Sequence, residues 1–194
     1  MKMLKEILSA DAHRLYPSDA PIVLKLRRRL SLYFRFIYFL RVSELCCKSN
    51  CAFIKLMGKF SNKIYSYYAR KLGMSVTHCT EIGRGILFEH RFGTVIASSA
   101  KIGDGCTIFQ NVTIGRTYGK NSGAPKIGNR CILFAGAKII GSITLGDDVI
   151  VGAGAVVIND VPSGCVVAGC PAKIVSEESQ SIISKEWRSL LYGY

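Results

Sequence analysis

Residues 127–162 read IGNRCILFAGAKIIGSITLGDDVIVGAGAVVINDVP. An aliphatic side chain returns at every sixth position: Ile127, Leu133, Ile139, Leu145, Val151, Val157. Side chains repeat every ~3.6 residues on a helix and every two on a strand, so six fits neither alone. Four positions after each of these residues stands a second apolar one: Cys131, Ala137, Ile143, Val149, Ala155, Val161. Such pairs suit short strands separated by turns. Self-similarity at a fixed period marks a solenoid. Three six-residue faces make a triangular coil of about eighteen residues, and stacked coils bury one another's inner side chains. The stretch therefore reads as part of a parallel β-helix.

The same period runs upstream through Ile96, Ile102, Ile108 and Ile114, with Cys106 another small core residue. It is interrupted twice. From Phe88 to Ile96 the step carries two extra residues, and from Ile114 to Ile127 seven. The longer interruption, GRTYGKNSGAP at 115–125, has the composition of a protruding loop. VGAGAVV lacks a full G-x-G-x-x-G and precedes no helix, so a dinucleotide site is not read there.

Charge divides the chain. Residues 1–73 hold 15 Lys/Arg against 4 Asp/Glu, and the remainder holds 11 against 9. The first part reads as helical. Its run from Ile22 to Leu56 contains neither Gly nor Pro and implies a well-buried helix or helix pair. Three regions follow: 1–75 helical, 76–175 β-helix, and 176–194 a closing helix with Ile182, Ile183, Trp187, Leu190 and Leu191 on one face. The eight cysteines form no C-x-x-C pair, which implies reduced thiols in a cytoplasmic protein, with no metal. Arg27–Arg29 lie among aromatics without any nucleic-acid motif, so no nucleic-acid partner is expected. A solvated helix face is the plain reading of this basic region. Contact of residues 22–41 with anionic lipid at the inner face of the membrane is the alternative.

There are three histidines: His13, His78 and His90. His90 follows Glu89 at the two-residue interruption, where side chains leave the regular register. A carboxylate beside an imidazole sets its tautomer and supports its cation, which suits a general base.

From THCTEIGRGILFEHRFGTVI through GDGCTIFQNVTIG to PKIGNRCILFAGAKIIGSITLGDDVIVGAGAVVINDVPSGCVVAGCPAKIV, the chain closely resembles serine acetyltransferases, a family of hexapeptide-repeat acyltransferases. It also resembles their relatives in capsule, colanic-acid and O-antigen gene sets. The resemblance implies a mainly β fold: a left-handed parallel β-helix, assembled as a homotrimer, using acetyl-CoA as donor. It puts Glu89 and His90 on the family's catalytic Asp-His pair, in a motif ending D-H-A-T-G. His78 becomes structural, and His13 a surface residue. Ala135, Gly136, Ala153, Gly154, Asn159 and Lys173 fall where the family holds acetyl-CoA. Asp19 and Arg91 fall where it holds substrate, although Asp19 is equally a helix cap. The family's R-H-P-K-I is here Gly123-Ala124-Pro125-Lys126-Ile127, so the arginine and second histidine of its serine site are missing. This departure leans the expected acceptor towards a sugar hydroxyl, as in polysaccharide biosynthesis, with serine as the alternative. An inactive trimeric scaffold is the alternative of another class.

Overall fold

A computed structural model of the chain describes residues 2–15, 31–77, 80–119 and 122–179. Asp19, His78, residues 22–30 of the basic segment 22–41 and most of the expected closing helix lie outside these residues. Three helices come first: α1 (Lys2–Leu15), α2 (Leu32–Lys48) and α3 (Ala52–Lys71). The Gly- and Pro-free run is broken between α2 and α3. Ser49 takes an extended conformation, and its hydroxyl accepts from the Cys51 N–H at 3.2 Å. A short polar side chain here offers the backbone an alternative to helix. The helices cross closely, since a Cβ on Gly58 would stand 2.7 Å from that of Cys46.

The rest forms a three-sided prism. Sheet A stacks β1 (Ser75–Val76), β4 (Val95–Ile96), β7 (Thr113–Gly115), β10 (Lys138–Ile140) and β13 (Val156–Val157). Sheet B stacks β2 (Glu81–Ile82), β5 (Lys101–Ile102), β8 (Lys126–Ile127) and β11 (Thr144–Leu145). Sheet C stacks β3 (Leu87–Phe88), β6 (Thr107–Ile108), β9 (Ile132–Leu133), β12 (Ile150–Val151), β14 (Val166–Gly169) and β15 (Ala172–Ser176). Among the described strands the pairings are parallel except β14 with β15, an antiparallel hairpin that the six-residue period does not foretell.

The repeat residues stand in register through the core. Ile96 pairs with Ile114, Ile139 and Val157 in turn, and Phe88 with Ile108, Leu133, Val151 and Val167. The second apolar residue of each repeat is buried too, including Ala100, Cys106, Cys131 and Val149. The coils approach so closely at the turn from sheet B to sheet C that only glycine fits. A Cβ on Gly103 would stand 2.6 Å from the Gly128 backbone.

A stack of parallel strands leaves its first coil with unpaired backbone groups on one side, which are costly when buried. The helices supply the partners. The Asp11 carboxylate accepts from the Ile86 N–H at 3.1 Å, and the Tyr33 hydroxyl from the Phe88 N–H at 3.1 Å. Arg41 donates to the carbonyls of Ile82 and Gly83 at 2.5 and 2.6 Å. The Tyr65 hydroxyl donates to the Val76 carbonyl. Phe36 and Leu40 join the prism interior in one continuous core, with Phe36 edge-on to Phe88. The helical region thus plugs and caps the open end of the β-helix.

Arg41 and Asp11 form a buried ion pair at 2.9 Å, both under 3% exposed. Burial holds the Asp11 carboxyl above the ordinary aspartate range, opposed by the Arg41 charge and its hydrogen bonds. Burial would lower the Arg41 value, but Asp11 holds the guanidinium above its usual range.

Candidate active site

Each coil turns from sheet C to sheet A at one corner of the prism. In the regular coils this turn is short. Asn111 donates its N–H to the Phe92 carbonyl, Gly136 to Gln110, and Gly154 to Ala135, each at 2.9 Å. These bonds stack the corners into a ladder along one edge.

The first corner differs. Gly93 holds the place that Asn111, Gly136 and Gly154 hold in later coils, with φ +75°. A Cβ on it would stand 1.9 Å from the Asn111 side-chain oxygen, so a larger residue would have to displace that amide as well as adopt the left-handed φ. The two extra residues found in the sequence form a bulge just before it. His90 and Arg91 both have positive φ, +52° and +30°. Neither is glycine, and backbone strain of this kind gathers at functional sites. The bulge leaves the His90 side chain exposed, with Glu89 half-buried beside it.

The bulge is braced from below. The Arg91 guanidinium stacks on the Tyr33 ring, 4.2 Å from its centroid, and its Nε donates to the Phe88 carbonyl at 3.2 Å. Tyr33 is fully buried, and burial pushes its phenol above the ordinary range, with the charges of Arg91 and Glu89 also reaching it. Helix α2 therefore fixes the backbone on both sides of Glu89. Among the described residues no hydrogen bond joins Glu89 to His90. Catalytic hydrogen bonds are often long in a ligand-free site.

The structure brings Ala135, Gly136, Ala153 and Gly154 onto this same edge, above His90. Ala135 and Gly136 are half-buried; Ala153 and Gly154 are exposed. Nothing lies within 4 Å of where a Gly154 Cβ would be. The edge is an open strip of small residues whose backbone a long, thin ligand can approach. Lys173 is exposed on β15 opposite Ala168, at the far end of the same edge, where a cation suits a phosphate. Asn159 stands elsewhere, at the corner between sheets A and B. Loop 115–125 leaves from that corner as well. It folds back through a Thr117–Gly123 bridge, and Ala124 packs half-buried against the core. Within one chain, therefore, Asn159 and Ala124 lie on a different prism edge from His90.

Reading the sequence missed the brace. Tyr33 lies in LSLYFRFIYFL, where apolar and aromatic residues occur without clear period, so nothing distinguishes the one that reaches Phe88. It also missed Phe109 and Phe134, which stack at 5.1 Å over the outer face of sheet C beside the strip of small residues.

A family model, bacterial transferase hexapeptide (six repeats), matches residues 124–159. A serine acetyltransferase of Helicobacter pylori is 39% identical over 137 residues, which is 69% of this chain and 80% of that protein. The chain belongs to the serine acetyltransferase family. A family member from Synechococcus elongatus is 41% identical over 116 residues, but the match spans only 47% of its length. Solved serine acetyltransferases superpose closely. One in complex with coenzyme A, from Brucella abortus, aligns at TM-score 0.74 and 29% identity over 90% of this chain and 68% of its own. One in complex with cysteine aligns at TM-score 0.75 and 28% identity over the whole of this chain and 71% of its own. A soybean enzyme complexed with serine aligns at TM-score 0.73 and 30% identity, over 89% of this chain and 69% of its own. The prism of this family member is thus the left-handed hexapeptide β-helix.

Proposed function

We propose that the protein is an acetyl-CoA-dependent O-acetyltransferase whose acceptor is L-serine. One observation carries this reading: an exposed histidine, held in a bulge of positive φ, stands at the foot of an open edge of small residues. The named activity of its relatives supports serine over the sugar acceptor that Ala124 suggests. Soluble acetyl-CoA and eight cysteines without a disulfide framework support a cytoplasmic setting.

The chemistry follows from the site. The His90 imidazole takes the proton of the acceptor hydroxyl as its oxygen attacks the thioester carbonyl carbon. The tetrahedral oxyanion is stabilised by backbone N–H groups. Its collapse breaks the carbon–sulfur bond, and the imidazolium returns the proton to the departing thiolate. Glu89 supports the imidazolium charge, and Arg91 keeps the bulge in place. Ala135, Gly136, Ala153 and Gly154 line the coenzyme arm, and Lys173 meets a phosphate.

Asn159 and the 115–125 loop can join His90 only from a second copy. This supports a trimer whose sites lie between protomers, each shared by a C–A corner and a neighbour's A–B corner. A sugar hydroxyl is the second reading, favoured by the missing guanidinium and imidazole at Gly123 and Ala124. The test is thiol release from acetyl-CoA with L-serine and with a panel of sugars, with the product mass measured. Release with L-serine and a mass gain of one acetyl group is expected. Release with a sugar and none with L-serine would overturn the serine assignment.

A further inference from the structure

Helix α3 divides into three longitudinal faces. Gly58, Ser61, Tyr65 and Ala69 are buried, and the helix packs on α2 and β1. A second face repeats at i, i+3, i+4, i+7: Phe53, Leu56, Met57, Phe60, half-buried Ile64, and Tyr67. All but Ile64 are in the open, Phe53 at 70% and Phe60 at 65% exposure. The third face carries Lys55, Lys59, Lys63 and Arg70, with Lys71 next to the stripe over the Tyr67 ring. The helix contains no Asp or Glu at all.

A contiguous apolar stripe left in solvent marks an interaction surface. The charge beside it selects the partner. Two copies of α3 meeting face to face would bring one all-cationic flank against another, which opposes self-association. A purely electrostatic partner would leave the phenylalanines without a role. An apolar stripe bordered by lysines is the pattern of a helix that lies in a membrane interface, its stripe among the acyl chains and its cations on anionic headgroups. No helix among the described residues is long and apolar enough to cross a membrane, so the contact is peripheral.

We propose that α3 is a peripheral docking surface for an anionic lipid bilayer, with Phe53, Leu56, Met57 and Phe60 inserting and Lys55, Lys59 and Lys63 on the headgroups. The proposal concerns a face of the helical cap and does not depend on which reaction the site supports.

The test is co-sedimentation of the full chain, at physiological salt, with vesicles of phosphatidylcholine alone or mixed with phosphatidylglycerol. Binding to the mixed vesicles is expected, with little to phosphatidylcholine alone. Neutralising Lys55, Lys59 and Lys63 together to Gln weakens that binding on the order of a hundredfold. The triple variant Phe53→Ser/Leu56→Ser/Phe60→Ser weakens it by about tenfold or more, since each buried side chain is lost from the interface. Both sets are exposed, so a thermal unfolding midpoint at or above the parent's certifies the fold of each variant. Because they are independent, one suffices if the other misfolds. Absence of sedimentation with mixed vesicles overturns the proposal, as does binding unaffected by either variant. A smaller assembly mass in the Ser variant without vesicle binding in the parent assigns the stripe to a second copy. Retention of the parent on single-stranded DNA, again without vesicle binding, assigns it to nucleic acid. Either result overturns the proposal.

Discussion

Replacing His90 with alanine lowers the rate of acetyl transfer by at least about two orders of magnitude, the lower end of what a general base contributes. The loss falls on kcat, because the imidazole acts on the acceptor proton and does not hold the coenzyme. The strip at Ala135–Gly136 and Ala153–Gly154 is built from later coils, and its backbone ladder involves no His90 atom. The KM for acetyl-CoA therefore stays near the parent value. Relief of the positive φ at position 90 is a separate matter, since alanine is strained there as well. Steady-state kinetics by thiol release separates the two parameters. A variant turning over within a few-fold of the parent would remove His90 from the mechanism.

The second large effect is on stability. In Asp11→Ala the Arg41 guanidinium, 1% exposed, loses its closer carboxylate at 2.9 Å and keeps only Glu44 at 3.4 Å, and the Ile86 N–H loses its acceptor. Removing one partner of a buried pair costs about 3–5 kcal/mol. That is a large fraction of the ~5–15 kcal/mol that holds a domain folded. Denaturant unfolding should show the midpoint falling steeply, with the first coil and the helical cap separating from the later coils. The damage reaches the site as well, since the same cap supplies Tyr33 beneath the Phe88 backbone. A loss below about 1 kcal/mol would mean that water reaches Arg41 and that the pair does not hold the cap.

The prism was readable from the spacing alone because every inward position in a stacked coil faces the same neighbour one coil away. Ile127, Leu133 and Ile139 repeat because Leu145, Val151 and Val157 stand directly over them. The bulge was readable for a related reason: two surplus residues before Ile96 have nowhere to go except outward. The cap was not readable. Asp11 meets Ile86, Tyr33 meets Phe88 and Arg41 meets Ile82 across separations of 75, 55 and 41 residues, and no local period records such contacts. Composition likewise cannot say which faces of an apolar helix are covered. The run through Leu56 reads as well buried, yet α3 presents Phe53 and Leu56 to solvent. The coenzyme-site residues came from family resemblance, and the structure places Ala135, Gly136, Ala153, Gly154 and Lys173 along one edge while leaving Asn159 on another. That division became visible only once the corners were assigned to sheets.

The direct test of the account is a crystal structure of the full chain with bound coenzyme A. A trimer is expected, with the coenzyme arm along Ala135–Gly136 and Ala153–Gly154 and its sulfur within hydrogen-bond reach of the His90 ring. Coenzyme A bound away from that edge, or a His90 ring turned from the sulfur into a protein interior, would contradict it.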